Sequence, residues 1–266
     1  MTDRRDDAAP GAGSTEEGTA GSAGTGAEGT DGVVPDGTGS PVSTGCGSID
    51  DLLGGGLERG VVTQVYGPPA AGKTNLALSA AVEVAATGGT ALYVDTEGLS
   101  ADRFGQLLAA RTDDQAAAAE RVVVSSALDF DEQEEAVRDA TELAPRADLV
   151  VLDSATGFYR LERGNDDGET LRAVGRQVTH LLSLARRHDL AVLLTNQVYA
   201  DPESESATAK PLGGHTLEHW TATVLRLDRF RGGRRRATLR KHRSKAAGET
   251  AEFRITDAGI ESAERR

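Results

Sequence analysis

Eight consecutive residues, Gly67-Pro68-Pro69-Ala70-Ala71-Gly72-Lys73-Thr74, fit the spacing G-x-x-x-x-G-K-[ST]. Glycines at such positions let backbone N–H groups converge on an anion. A helix starting there points the positive end of its dipole at the same place. Lys73 has the charge and reach to bridge β- and γ-phosphates, and Thr74 carries a hydroxyl suited to Mg²⁺. A loop that merely turned the chain would have no use for the lysine. Gly67 to Asn75 are therefore expected to hold a nucleoside triphosphate.

Three further positions suit that chemistry. The run "ADLVVLDS" ends in Asp153, whose carboxylate would stand beside the Mg²⁺ at the carboxyl edge of a sheet, with Ser154 next to it. In "LYVDTEG", Glu97 lies just past a strand, where a carboxylate can orient and deprotonate an attacking water. Asp95 is its rival, with pairing to backbone N–H groups as its other role. In "LLTNQV", Asn196 and Gln197 leave a strand as amides able to sense a γ-phosphate and report it to the next loop.

The elements that must position these residues alternate. Residues 61–66, 90–95, 121–124, 148–153 and 190–196 read as strands, and 73–89, 100–110, 131–143 and 169–189 as helices. Such alternation implies an α/β fold with a mostly parallel sheet covered on both faces. From Thr221 the pattern changes to antiparallel hairpins. Residues 1–41 are built from small and acidic residues without an aromatic, too little to offset ordering entropy, and are expected to be a disordered tail. The core is expected at 42–260, followed by a short tail at 261–266.

The chain has 266 residues and a net charge of −13, with four lysines against 25 arginines. An acidic, lysine-poor surface suits a protein kept soluble in concentrated salt, which points to a halophilic source. Salt weakens phosphate-backbone binding steeply, so any nucleic-acid contact must use stacking and hydrogen bonds as well as charge. Cys46 is the lone cysteine and reads as a small semi-buried hydrophobe. No apolar run reaches the roughly 18–20 residues of a membrane helix, and residues 1–13 lack an apolar signal region. A cytoplasmic protein with no membrane partner is expected.

The segments "VSTGCGSIDDLLGGGLERGVVTQVYGPPAAGKT", "ALYVDTEG", "DLVVLDS", "LLTNQV" and "KPLGGHTLEHW" occur in the order and spacing of the RecA/RadA recombinase superfamily, which residues 42 to about 260 resemble. The resemblance implies a RecA-type P-loop core, ATP and Mg²⁺ as ligands, Glu97 as the catalytic glutamate and Gln197 as the γ-phosphate sensor. It implies that two loops, 157–169 and 200–213, face DNA. Recombinases of this superfamily polymerise through a phenylalanine-centred motif ahead of the core, and here Phe104 is the first phenylalanine. Filaments are accordingly doubtful, and at most a weak homo-oligomer is expected. The core-only pattern is similar to the archaeal RadB family. That likeness implies an ATP- and DNA-binding accessory factor to a RadA-type recombinase, with weak ATPase and no strand exchange of its own. The alternatives are an active strand-exchange recombinase and a KaiC-like regulatory ATPase without a DNA role. The superfamily often stacks an arginine on adenine after the TEG motif, but Arg103 lies one residue out of that register.

For DNA, expected to be single-stranded, Tyr159, Arg160 and Arg163 in the first loop combine stacking with charge. Phe158 could stack too or tuck into the core. Residues 226–245 hold ten Lys or Arg against one Asp, a net of +9, and Arg234, Arg235 and Arg236 are the further candidates. His215 and His219 are too few for a metal site, and Trp220 is expected in the core.

Overall fold

In the computed structural model the described residues are 39–158, 167–199, 210–212 and 214–263. Helix α1 (Gly47–Leu53) precedes strand β1 (Val62–Tyr66) and helix α2 (Lys73–Ala86). Then come β2 (Ala91–Asp95), α3 (Ala101–Arg111), α4 (Gln115–Ala119), β3 (Val122–Ser126) and α5 (Phe130–Leu143). After β4 (Leu149–Asp153) follow α6 (Asp167–His188), β5 (Ala191–Asn196), β6 (Val198–Tyr199) and β7 (Lys210–Pro211). Helix α7 (Gly214–Trp220) leads to β8 (Thr223–Arg229), β9 (Arg234–Lys241), β10 (Thr250–Thr256) and β11 (Gly259–Ser262).

One sheet runs in the order β11-β10-β9-β8-β1-β5-β4-β2-β3. From β8 to β3 the pairing is parallel, and from β8 to β11 it is antiparallel. Strands β1, β2, β4 and β5 are buried along their whole length, because helices cover both faces. The alternation of side chains divides the core in two. Tyr93, Val151 and Leu193 face α2, while Leu92, Val150 and Val192 face α6. The strand order places the carboxyl ends of β1, β5, β4 and β2 side by side, and the loops leaving those ends carry the candidate residues.

The helix boundaries have local causes. Ser100 and Asp129 cap α3 and α5 by accepting the backbone N–H of Arg103 and Glu132. Gly54, at φ 91°, ends α1 in the left-handed region that glycine tolerates. Pro145 lies in a 3₁₀ turn that stops α5. Cys46 is buried beside α1.

The described structure differs from expectation in three places. Helices α1, α4 and α7 are too short to show a clear period in sequence. Strand β8 serves two roles, pairing parallel with β1 and antiparallel with β9. Trp220 is not in the core: it is 40% exposed. Leu217 is the buried anchor of α7, and the indole is left at the rim, edge-on to the His219 ring at 4.9 Å between centroids.

The antiparallel extension shares the main core. Phe253 of β10 is fully buried in the cluster that contains Leu76 and Leu78 of α2. Phe253→Ala should lower unfolding free energy by about 3–5 kcal/mol, read from chemical denaturation at constant salt. A loss below about 1 kcal/mol would show that the extension folds independently of the core.

Candidate functional site

Strand β1 ends at Tyr66 and α2 begins at Lys73, so the intervening turn has little freedom. A Cβ at Gly67 would collide with the Leu227 carbonyl of β8. Gly72 adopts φ 108°, and a Cβ there would press on Ile255 and Arg235. Ala70 also takes a positive φ, 60°. This backbone folds around the start of α2, where the first N–H groups lack helical partners. Lys73 is only 9% exposed, and its Nζ donates to the carbonyls of Gly67 and Pro68 at 3.1 and 3.3 Å. Burial lowers its pKa, and the carboxylates of Glu97 and Asp153 oppose that shift. A cavity of about 430 Å³ opens on this turn. Pro69, Ala70, Thr74 and Asn75 line one wall, and Glu97 and Gln197 reach it from the sheet edge.

Asp153 ends β4 and is 1% exposed. It accepts from Tyr93 Oη at 2.7 Å and from the Thr195 hydroxyl, on the two neighbouring strands. Burial raises its pKa; the Thr195, Tyr93 and Thr74 hydroxyls oppose this, whereas Glu97 adds to it. The link to Thr74 joins the two residues expected at Mg²⁺.

Asp95 and Glu97 have separate roles. Asp95 accepts the backbone N–H groups of Glu97, Gly98 and Leu99 at 3.1, 3.0 and 2.6 Å, which occupies both oxygens in holding the turn. Glu97 is exposed to the cavity. Its Oε1 accepts from Ser154 Oγ at 2.8 Å and from Gln197 Nε2 at 3.1 Å. Asn196 turns away from the cavity. It is fully buried, accepts from Thr156 Oγ1 at 2.7 Å and donates to Leu212 O at 2.7 Å. The Gln197 carbonyl accepts Leu212 N–H at 2.9 Å, and β6 pairs with β7. The amides are thus wired to residues on both sides of 200–209.

The arginine run does not form one basic surface, because a strand alternates its faces. Arg234 and Arg236 pair with Glu252 at 3.7 and 3.4 Å, and the Arg236 guanidinium lies 4.7 Å from the centroid of the Phe230 ring. Arg235 points to the other face and lines the cavity with Ile255. Arg103 donates to Asn75 Oδ1 at 3.0 Å and to the Thr256 and Asp257 carbonyls at 2.8 and 3.2 Å, at the rim of the site. Phe158 is buried, so it takes the core option. Tyr159, Arg160 and Arg163 lie outside the described residues.

The arrangement fits a nucleoside triphosphate with Mg²⁺. Two glycines are required where a Cβ would fill the cradle or strike its wall, and Lys73 reaches only carbonyls among the described residues. The Asp153 carboxylate beside the Thr74 hydroxyl suits Mg²⁺, which takes one or two carboxylates and completes its shell with phosphate and water. Tyr93 and Thr195 belong to the site although the motifs that contain them, "LYVDTEG" and "LLTNQV", gave them no role; Ile255 lies in no motif, and Arg235 was singled out only for DNA. For Arg235 the strand's period of two is the signal that could have found it.

A family model described as Rad51 matches residues 40–263. The chain is 67% identical over 219 residues to a "DNA repair and recombination protein RadB" of Halobacterium salinarum, covering 82% of this chain and 93% of that protein. It is 42% identical over 215 residues to the RadB of Methanococcoides burtonii, covering 80% and 93%. A solved structure titled "Crystal structure of the RadB recombinase" covers 84% of this chain and all of its own, at 39% identity and a TM-score of 0.73. Folds of this kind bind ATP with Mg²⁺. The chain belongs to the Rad51 family, and archaeal RadB proteins are its relatives within it.

Proposed function

We propose that this chain binds ATP and Mg²⁺ at the β1–α2 turn, hydrolyses ATP slowly, binds single-stranded DNA, and assists a RadA-type recombinase in homologous recombination and repair without exchanging strands itself. The observation that carries the reading is the convergence of a cradle that only glycine can build, the buried Lys73, and the Glu97–Gln197 pair on one cavity. The names of its relatives, DNA repair and recombination proteins, support the cellular role.

Lys73 and the N-terminal N–H groups of α2 would hold the β- and γ-phosphates, and Thr74 with Asp153 would hold Mg²⁺. ATP brings the scissile anhydride, and Mg²⁺ offsets the charge that develops on it. Glu97 would orient the attacking water and take its proton. Its Oε1 already receives two hydrogen bonds, from Ser154 and Gln197, so Oε2 is the atom left to face the water. These bonds fix the carboxylate's direction. A γ-phosphate would compete with Glu97 for the Gln197 Nε2 donor, and nucleotide binding would redirect the amide toward it. The backbone link from Gln197 to Leu212 would carry that change into 200–213, the loop expected to face DNA.

Slow turnover is supported by the cations near the site. Among the described residues, Lys73 and Arg235 are the cations lining the cavity. Lys241 is held at the end of α7 by the Glu218 and Thr221 carbonyls at 2.5 and 2.7 Å, and Arg243 pairs with Glu58.

Lys73→Ala should weaken binding of a fluorescent ATP analogue by about 10- to 100-fold in titrations at molar KCl; unchanged affinity would remove the nucleotide assignment. Glu97→Gln should keep that affinity and lower phosphate release by about 10²-fold or more. Wild-type turnover in this variant would assign water activation to another group.

A further inference from the structure

We propose that Arg235 is a nucleotide-binding residue of the same subunit, a second cation for the phosphate chain at the end remote from Glu97. This rests on the ATP reading of the cavity and adds a ligand contact that the P-loop spacing does not contain.

The case begins with strand alternation. Arg235, Ala237 and Leu239 share the inward face of β9, and the last two are fully buried. Arg235 is where that face emerges from the core, directly against the phosphate turn. Its Cδ and Nε lie 3.4 and 3.5 Å from the position a Cβ on Gly72 would take, and Ile255 Cδ1 lies 3.0 Å from it. The side chain therefore forms part of the cavity wall on the C-terminal side of the site.

The guanidinium is under-used by the protein. Nη1 donates to the Gly233 carbonyl at 2.9 Å. Nε is buried with no hydrogen-bond partner, and no carboxylate pairs with the group among the described residues. Arg234 and Arg236, its neighbours on the outer face, both have Glu252. A half-buried cation without a counter-ion, beside Arg229, is costly unless an anion joins it. Burial and Arg229 both act against its charge.

The position also selects the end of the ligand. Lys73 feels the carboxylates of Glu97 and Asp153, so it marks the hydrolytic end. Arg235 instead lies against Gly72 beside Ile255, whereas Glu97 and Gln197 reach the cavity from the sheet edge. A planar guanidinium is suited to phosphate oxygens and keeps its charge in a partly buried site. It is therefore placed for the phosphates that ADP and ATP share.

The test is a titration of the full chain with fluorescent ADP and ATP analogues at molar KCl. Arg235→Gln keeps the stem that packs near Ile255, and Arg235→Lys keeps the charge. Arg254→Ala on β10, exposed and away from the cavity, is the control. Thermal melts without nucleotide check that each variant is folded. Arg235→Gln should weaken ADP and ATP by the same factor, about 10- to 100-fold, with partial recovery in Arg235→Lys and no change in Arg254→Ala. Wild-type affinity in Arg235→Gln, with Lys73→Ala still impaired, overturns this inference and leaves the ATP reading standing. Loss for ATP alone overturns it too, by moving the contact to the γ end. Unimpaired binding in Lys73→Ala overturns both.

Discussion

The turn from β1 into α2 constrains everything else in this molecule. It must pass so close to β8 that no side chain fits at Gly67, and it must start a helix at once from a left-handed Gly72. A backbone bent in this way directs unpaired N–H groups into one small volume. The result is a fixed positive spot in a chain whose net charge is −13. Neighbouring parts of the sheet are arranged around it. β8 supplies the wall, the exit from β5 supplies Gln197, and β4 supplies Asp153. Each depends on the strand order that places β1 between β8 and β5.

A second consequence concerns buried charge. Asp153 sits under the turn with almost no access to water, which disfavours its ionised form. The hydroxyls of Tyr93 and Thr195 offset that cost by hydrogen bonding, and they come from the strands on either side of β4. Glu97 is handled differently. It stays exposed, and its turn is fixed from below by Asp95. Two carboxylates two residues apart thus divide the work, one shaping backbone and the other facing the cavity.

What could be read from the sequence follows from how local the signal is. The P-loop, the strand ending in Asp153 and the TEG turn are contiguous, and their residues are diagnostic by type and spacing. The alternation of strands and helices gave the parallel sheet for the same reason. The partners of Asp153 were not legible, because Tyr93 and Thr195 meet it only through cross-strand register. Arg235 was hidden in a basic run whose members look alike until the strand's alternation separates them. Trp220 was misplaced because a large apolar residue at the end of a short helix can be left at the rim when Leu217 already fills the inward position.

The central claim is that a triphosphate gripped at the β1–α2 turn draws Gln197 away from Glu97 and so reaches the segment beyond it. The most direct measurement is a crystal structure of the chain with Mg²⁺ and a nonhydrolysable ATP analogue at high salt. The account predicts phosphate density against Gly67–Thr74 and a broken Gln197–Glu97 hydrogen bond, with Gln197 turned to the terminal phosphate. A nucleotide bound elsewhere, or a bound nucleotide with the Gln197–Glu97 bond intact at its present 3.1 Å, would contradict it.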